Sequence, residues 1–182
     1  MKDLKAFILE AAHQPTLYQR AKSEDEPFVK AALEAEGWKV KEGTYDEDFK
    51  HIDLKASGSF TDEDGNQTES NVTIDVKRNS SKNAHTKNYS LQTVDSTGKE
   101  FEYSDKGYFA FINDDDKTIS LVKQLDIKDL AAKKQEKETI INGEKDGSKY
   151  VLLPKVEVQK LGRTIDPDDN IKKIINKSNN II

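Results

Sequence analysis

Two stretches decide the fold: HIDLKA at residues 51–56 and NVTIDVK at residues 71–77. In the first, apolar Ile52, Leu54 and Ala56 alternate with polar His51, Asp53 and Lys55; in the second, Val72, Ile74 and Val76 alternate with Thr73, Asp75 and Lys77. A period of two is the pattern of a strand with one face in the core and one toward water. The intervening DEDGNQ, residues 62–67, has the composition of a hairpin turn. With Gly65 in the left-handed position of a three-residue turn, facing residues have numbers that sum to 128, and Asp53 comes opposite Asp75. Opposed carboxylates repel and weaken a strand pair. Either the face stays wet or a cation sits between the acids. Lys77, two residues beyond Asp75, projects to the same side. Two acids and a lysine so placed would hold Mg²⁺, activate a water and stabilise charge on a phosphate.

Upstream, a helix is expected from about Leu17 or Glu24 through Glu36, with Val29, Ala32 and Leu33 inward and Gly37 as its stop; Trp38–Lys41 begins the first strand. Glu26 precedes Leu33 by seven residues, nearly two turns, so it falls on the inward stripe, where an acid is unusual. It could bring a further carboxylate to the metal site. Its structural alternative is a capping box, Ser23-x-x-Glu26. Leu4, Phe7, Ile8 and Ala11 read as an earlier short helix, interrupted at Pro15-Thr16.

Downstream, NYSLQTV (88–94) and KEFEYS (99–104) read as a second hairpin, and YFAFIN (108–113) with KTISLVKQ (117–124) as a third. A helix is expected over 126–138, then a Gly-rich turn and a strand YVLLPKVEVQ (150–159). Asp166-Pro167 is expected to cap a last short helix reaching Ile175. The order predicts an α+β domain, one unit over 1–182, with its core at 20–125 and a C-terminal helix and strand elaboration at 126–182.

The length suits one hydrophobic core. The chain has no cysteine, which excludes disulfides and thiolate metal sites and suits a reducing compartment. The N-terminus lacks the apolar core of a signal peptide, and no apolar run is long enough to span a bilayer, so a cytoplasmic protein that does not enter membranes is expected. The net charge of −5 argues against a purely electrostatic nucleic-acid binder. Its distribution is uneven: residues 43–65 are strongly acidic, whereas KRNSSKNAHTKN (77–88) has four basic residues and no acid. An acidic pocket beside a basic rim suits an enzyme that holds divalent cations and approaches phosphates.

The run Glu26-x-x-Val29-x-x-x-Leu33-x-x-x-Gly37-Trp38-x-Val40 resembles the first helix and strand of PD-(D/E)XK nucleases, the archaeal Holliday-junction resolvases above all. Asp53 matches that family's single Asp on the second strand, with Ile52 where many members have Pro, and Asp75-Val76-Lys77 matches its acid-x-Lys tripeptide. The resemblance covers roughly residues 20–80. It implies a restriction-endonuclease-like mixed β-sheet core flanked by helices. It also implies Mg²⁺-dependent cleavage of nucleic acid, DNA before RNA and endonucleolytic before exonucleolytic. Catalytic residues would be Glu26, Asp53, Asp75 and Lys77, with Glu26, Asp53 and Asp75 on the metal and Mn²⁺ as a substitute. Many restriction-type members cut as homodimers. The helix that usually follows the acid-x-Lys strand is missing from the pattern, since 82–104 reads as polar loop plus hairpin.

Arg78, Lys82, His85 and Lys87 are the expected nucleic-acid contacts, against the plainer reading of a basic loop. Tyr89, Phe101 and Tyr103 read first as hairpin packing, with base stacking as the second reading. Two rivals to a nuclease stay open: a nucleic-acid-binding module that no longer cuts, and an inhibitor whose acids Asp46-Glu47-Asp48 and Asp62-Glu63-Asp64 meet a basic partner.

Overall fold

The computed structural model describes residues 20–48, 50–61, 67–79, 86–141 and 144–175. The expected first helix, the turn at 62–66, Lys82 and His85 lie outside the described residues. Helix α1 spans Glu26–Ala35 and is preceded by a π-type turn, Ala21–Asp25. Asp25 stands at its start without a side-chain cap bond and Ser23 lies inside the preceding turn, so the alternative reading of Ser23 and Glu26 as a capping box does not describe this helix start. Phe28, Val29, Ala32 and Leu33 are fully buried, each worth about 1.5–3 kcal/mol of transfer free energy except the smaller Ala32. Gly37, at φ +92°, ends the helix in a conformation an L side chain resists.

The chain then alternates short elements: β1 (Lys39–Glu42), α2 (Tyr45–Asp48), β2 (Leu54–Thr61), β3 (Gln67–Arg78), β4 (Asn88–Val94), β5 (Gly107–Asn113), β6 (Thr118–Lys123), α3 (Gln124–Ala131), β7 (Lys137–Ile141), β8 (Glu144–Pro154), α4 (Lys155–Leu161), β9 (Arg163–Ile165) and α5 (Asp169–Lys172). They form an α+β fold with a six-stranded sheet of order β1-β2-β3-β5-β6-β9 and a three-stranded sheet of order β4-β8-β7. The large sheet is mixed: β3 and β5 run parallel and its other pairs antiparallel. Pairing of β2 with β3 runs from Leu54↔Ile74 to Thr61↔Gln67, every pair summing to 128, so the expected register holds.

Strand parity sorts the two faces. Leu54, Ala56, Val72 and Ile74 pack with α1, and Ile171, Ile174 and Ile175 join them from the C-terminal end. Phe109, Phe111 and Val122 face the other way, onto Tyr89, Leu91, Val151 and Leu153 of the small sheet, Ile127 of α3 and Val158 of α4. Helices therefore cover one face of the large sheet, and the small sheet with α3 and α4 covers the other.

Four expectations are corrected. Residues 99–104 form no strand beside β4; only an isolated bridge, Val94↔Glu100, joins them. β4 pairs instead with β8, whose Val151 and Leu153 match its buried Leu91 and Tyr89. The expected strand 150–159 breaks at Pro154, and the rest is helix α4. Lys155 and Val158 are buried, three residues apart, while Val156 is exposed, so the apparent alternation is part of a helical stripe. The helix expected over 126–138 occupies 124–131, and β7 takes up its end. In the last helix the cap is Asp168, whose Oδ1 accepts from the Asn170 and Ile171 amides, two residues past the expected Asp166.

Candidate active site

Asp53 stands one residue before β2, where the chain arrives through His51 in the left-handed region at φ +57°. Its backbone is fixed on both sides: its N–H donates to Ile74 O at 3.0 Å, and its carbonyl accepts from Gly43 N at 2.7 Å. A Cβ on residue 43 would run into the Ile52 carbonyl, so a glycine is what allows this approach. The Asp53 side chain turns to β3, where Oδ2 accepts from the Val76 N–H at 2.7 Å. It thereby caps the ladder that β2 leaves and comes beside Asp75.

Asp75 is 2% exposed. Its Oδ1 lies 2.7 Å from Lys77 Nζ. Its Oδ2 is buried with no hydrogen-bond donor and faces His51 Nδ1 at 3.9 Å. Burial raises the Asp75 pKa, Lys77 opposes the shift, and the charge of Glu26 adds to it. Burial and then the charge of Asp75 push Asp53 up to about 6 from an ordinary 3.8, against the Val76 N–H and the charges of Lys77 and Lys22. Two acids so close in a poorly solvated place disfavour each other's charge, and a cation beside them would offset that.

Glu26 is 3% exposed, with Lys22 Nζ 3.0 Å from its Oε1 and 3.1 Å from its Oε2. What holds the start of α1 against the sheet is Arg78. Its Nη1 bonds Asp25 Oδ1 at 2.8 Å and its Nη2 lies 2.6 Å from Asp114 Oδ1 in the β5–β6 turn. Arg20 Nε reaches the other oxygen of Asp25 at 3.3 Å. The Arg78 side chain is only 8% exposed and clamps the helix beside Glu26, where an open basic loop residue was expected. Parity contained this signal: if Asp75 and Lys77 share one face, Arg78 belongs with Ile74 and Val76 on the α1 face. Sequence reasoning also missed Asp25, Asp114 and Lys22, because acid–base partners from distant segments leave no local pattern. Of the expected nucleic-acid contacts, Lys87 is exposed.

Could these residues hold a divalent ion? Among the described residues no group of three or more His, Asp or Glu side chains is gathered as a metal cluster. Lys77 and Lys22 are drawn onto Asp75 and Glu26 instead. Mg²⁺ needs less than such a cluster, since it binds through one or two carboxylates plus waters and substrate phosphates. The donorless Asp75 Oδ2 beside the Asp53 carboxyl fits that requirement. The acid run after β1 has another use: Glu47 bonds Lys55 Nζ at 3.0 Å and accepts from the Thr44 N–H at 2.9 Å. Its pKa is lowered to about 2, first by the Thr44 N–H and then by Lys55. Asp62, Glu63 and Asp64 lie outside the described residues. Among those described, no helix is long and apolar enough to cross a membrane.

No protein-family model matches this chain, and a comparison with curated proteins gives no match. Among solved structures the chain is similar to D212, a nuclease from a fusselovirus, at 16% identity over 96% of this chain and 93% of that one, with a TM-score of 0.37. A TM-score under 0.5 does not define a common fold.

Proposed function

We propose that this protein is a metal-dependent nuclease that hydrolyses phosphodiester bonds of nucleic acid, DNA in the first place, at a centre made by Asp53, Asp75, Lys77 and Glu26. The observation that carries the reading is Asp75 Oδ2: a buried carboxylate oxygen with no donor, beside a second carboxyl that burial and Asp75 push up to about 6. A buried carboxylate oxygen left without a donor is costly unless a cation completes it. Asp53 and Asp75 would hold Mg²⁺ or Mn²⁺, with Glu26 as a further carboxylate once it leaves Lys22. Bound there, the ion would supply Lewis-acid polarisation of the phosphate and a water of lowered pKa.

The chain's own residues then have distinct tasks. Asp53 is immobilised through its backbone and the Val76 N–H, so its free oxygen has a defined direction. Lys77, 27% exposed and resting on Asp75, can swing from the carboxylate to a phosphate oxygen and stabilise charge that develops there. The Arg78 clamp keeps Glu26 in reach.

The test is single-turnover cleavage of duplex, single-stranded and branched DNA, with RNA beside them, in Mg²⁺, in Mn²⁺ and in excess EDTA. Wild-type protein should cut only with metal, and Asp75→Asn should not cut. Equal cleavage by wild type and Asp75→Asn, or full activity in EDTA, would overturn the reading. A nucleic-acid-binding module would bind the same substrates and cut none.

A further inference from the structure

The aromatic residues between β4 and β5 have no part in the centre described above. Phe101 and Tyr103 lie on an extended segment that forms no sheet, yet it is firmly placed. Gln124, at the start of α3, accepts from the Ser104 N–H at 2.9 Å, and its amide fills the space that a side chain at Gly107 would need. The rings build a bed. Phe101 lies 4.8 Å from Tyr103, 5.4 Å from Phe109 and 4.8 Å from His51, centroid to centroid. Phe109 beneath is fully buried, whereas Phe101 and Tyr103 keep part of their surface open. A cavity of about 510 Å³ opens against them, and both His51 and Lys77 line it. Lys77 is also the ammonium 2.7 Å from Asp75. The aromatic cavity therefore begins where the carboxylate centre ends.

We propose that this cavity is a nucleobase subsite. It receives the base of an unpaired nucleotide beside the phosphate bound at Asp53, Asp75 and Lys77, so the substrate class is single-stranded or locally unpaired nucleic acid. This rests on the nuclease reading for the identity of the neighbouring phosphate. Three observations carry it. The volume lies in the ~300–1,000 Å³ range of ligand sites, and so takes one extruded unit and no duplex. The floor is aromatic, and a base offers it a π-face only when unstacked from its neighbours. The rim is balanced in charge, Asp95, Glu100 and Glu102 against Lys50, Lys77 and Lys99, so it does not select a phosphate over a base.

The experiment compares affinities in EDTA for three DNAs of equal length: an ordinary single strand, a fully abasic strand with the same phosphates, and a matched duplex. Wild-type protein should bind the ordinary strand roughly 5- to 150-fold more tightly than the abasic one, the range of a single base stacked on aromatic rings. Phe101→Leu and Tyr103→Leu keep apolar volume against Phe109 but lose the π-face, and should shrink that preference; Tyr103→Phe should retain it. Thermal unfolding of each variant checks that it is folded. Equal affinity of wild type for ordinary and abasic strands overturns the subsite, as does a full preference in both folded Leu variants. The same proteins are then assayed for cleavage with Mn²⁺. A base preference without cutting refutes the nuclease reading and leaves the subsite standing, whereas cutting without a base preference does the reverse.

Discussion

Asp53→Asn should make the protein more stable at neutral pH while removing a residue the proposed chemistry needs. The Asp53 carboxyl is raised from 3.8 to about 6 in the folded state, by burial first and by Asp75 second. A carboxyl raised on folding favours the folded state while protonated. That contribution is complete below about pH 4 and is lost as pH rises through 6. The full difference between 3.8 and about 6 corresponds to ~3 kcal/mol at 1.36 kcal/mol per pH unit. Between pH 4.5 and pH 7.5 linkage assigns ~2 kcal/mol of this loss. Asn is isosteric, cannot ionise, and its side-chain oxygen can still accept from the Val76 N–H. Urea denaturation of both proteins at pH 4.5, 6 and 7.5 should therefore show the variant gaining on the wild type by ~2 kcal/mol across the range, about 4–8 °C in Tm. Mn²⁺ at pH 7.5 should stabilise the wild type more than the variant, since an ion held only by the folded state adds stability by mass action. If the wild-type-to-variant difference is flat with pH, Asp53 is not raised and the argument from the buried acid pair fails.

Further outcomes follow from the same contacts. Lys77→Ala should abolish cleavage and also destabilise the protein by ~3 kcal/mol at pH 7.5, since it leaves Asp75 buried without its ammonium; a divalent ion should recover much of that stability. Arg78→Ala should cost ~3–5 kcal/mol in chemical denaturation because it strands Asp25 and Asp114, whereas a surface phosphate contact would change the salt slope of DNA binding and leave stability alone. Lys87→Ala should do the latter: stability within ~0.5 kcal/mol of wild type and a salt slope flatter by about 1, read from binding titrations at two ionic strengths.

The local patterns carried a good deal. Alternation of period two identified β2 and β3, the expected turn length gave the register they adopt, and parity placed Asp75 and Lys77 together, with Asp53 beside them. The 3.6-residue stripe identified α1 and its inward acid. Each of these depends on neighbours within one hairpin or one helix, where spacing in the chain is spacing in space. The rest depended on partners far away in the chain. β4 leaves its expected neighbour at 99–104 because β8, more than fifty residues on, offers a better apolar face. Arg78 turns from a surface cation into a clamp because Asp25 and Asp114 arrive from two other elements. The aromatic floor over His51 exists because Gln124 fastens a segment that forms no strand. The raised Asp53 carboxyl is likewise a property of burial and of Asp75's position. Periodicity states which side a residue faces; only the packed chain decides what it meets there and how much water remains.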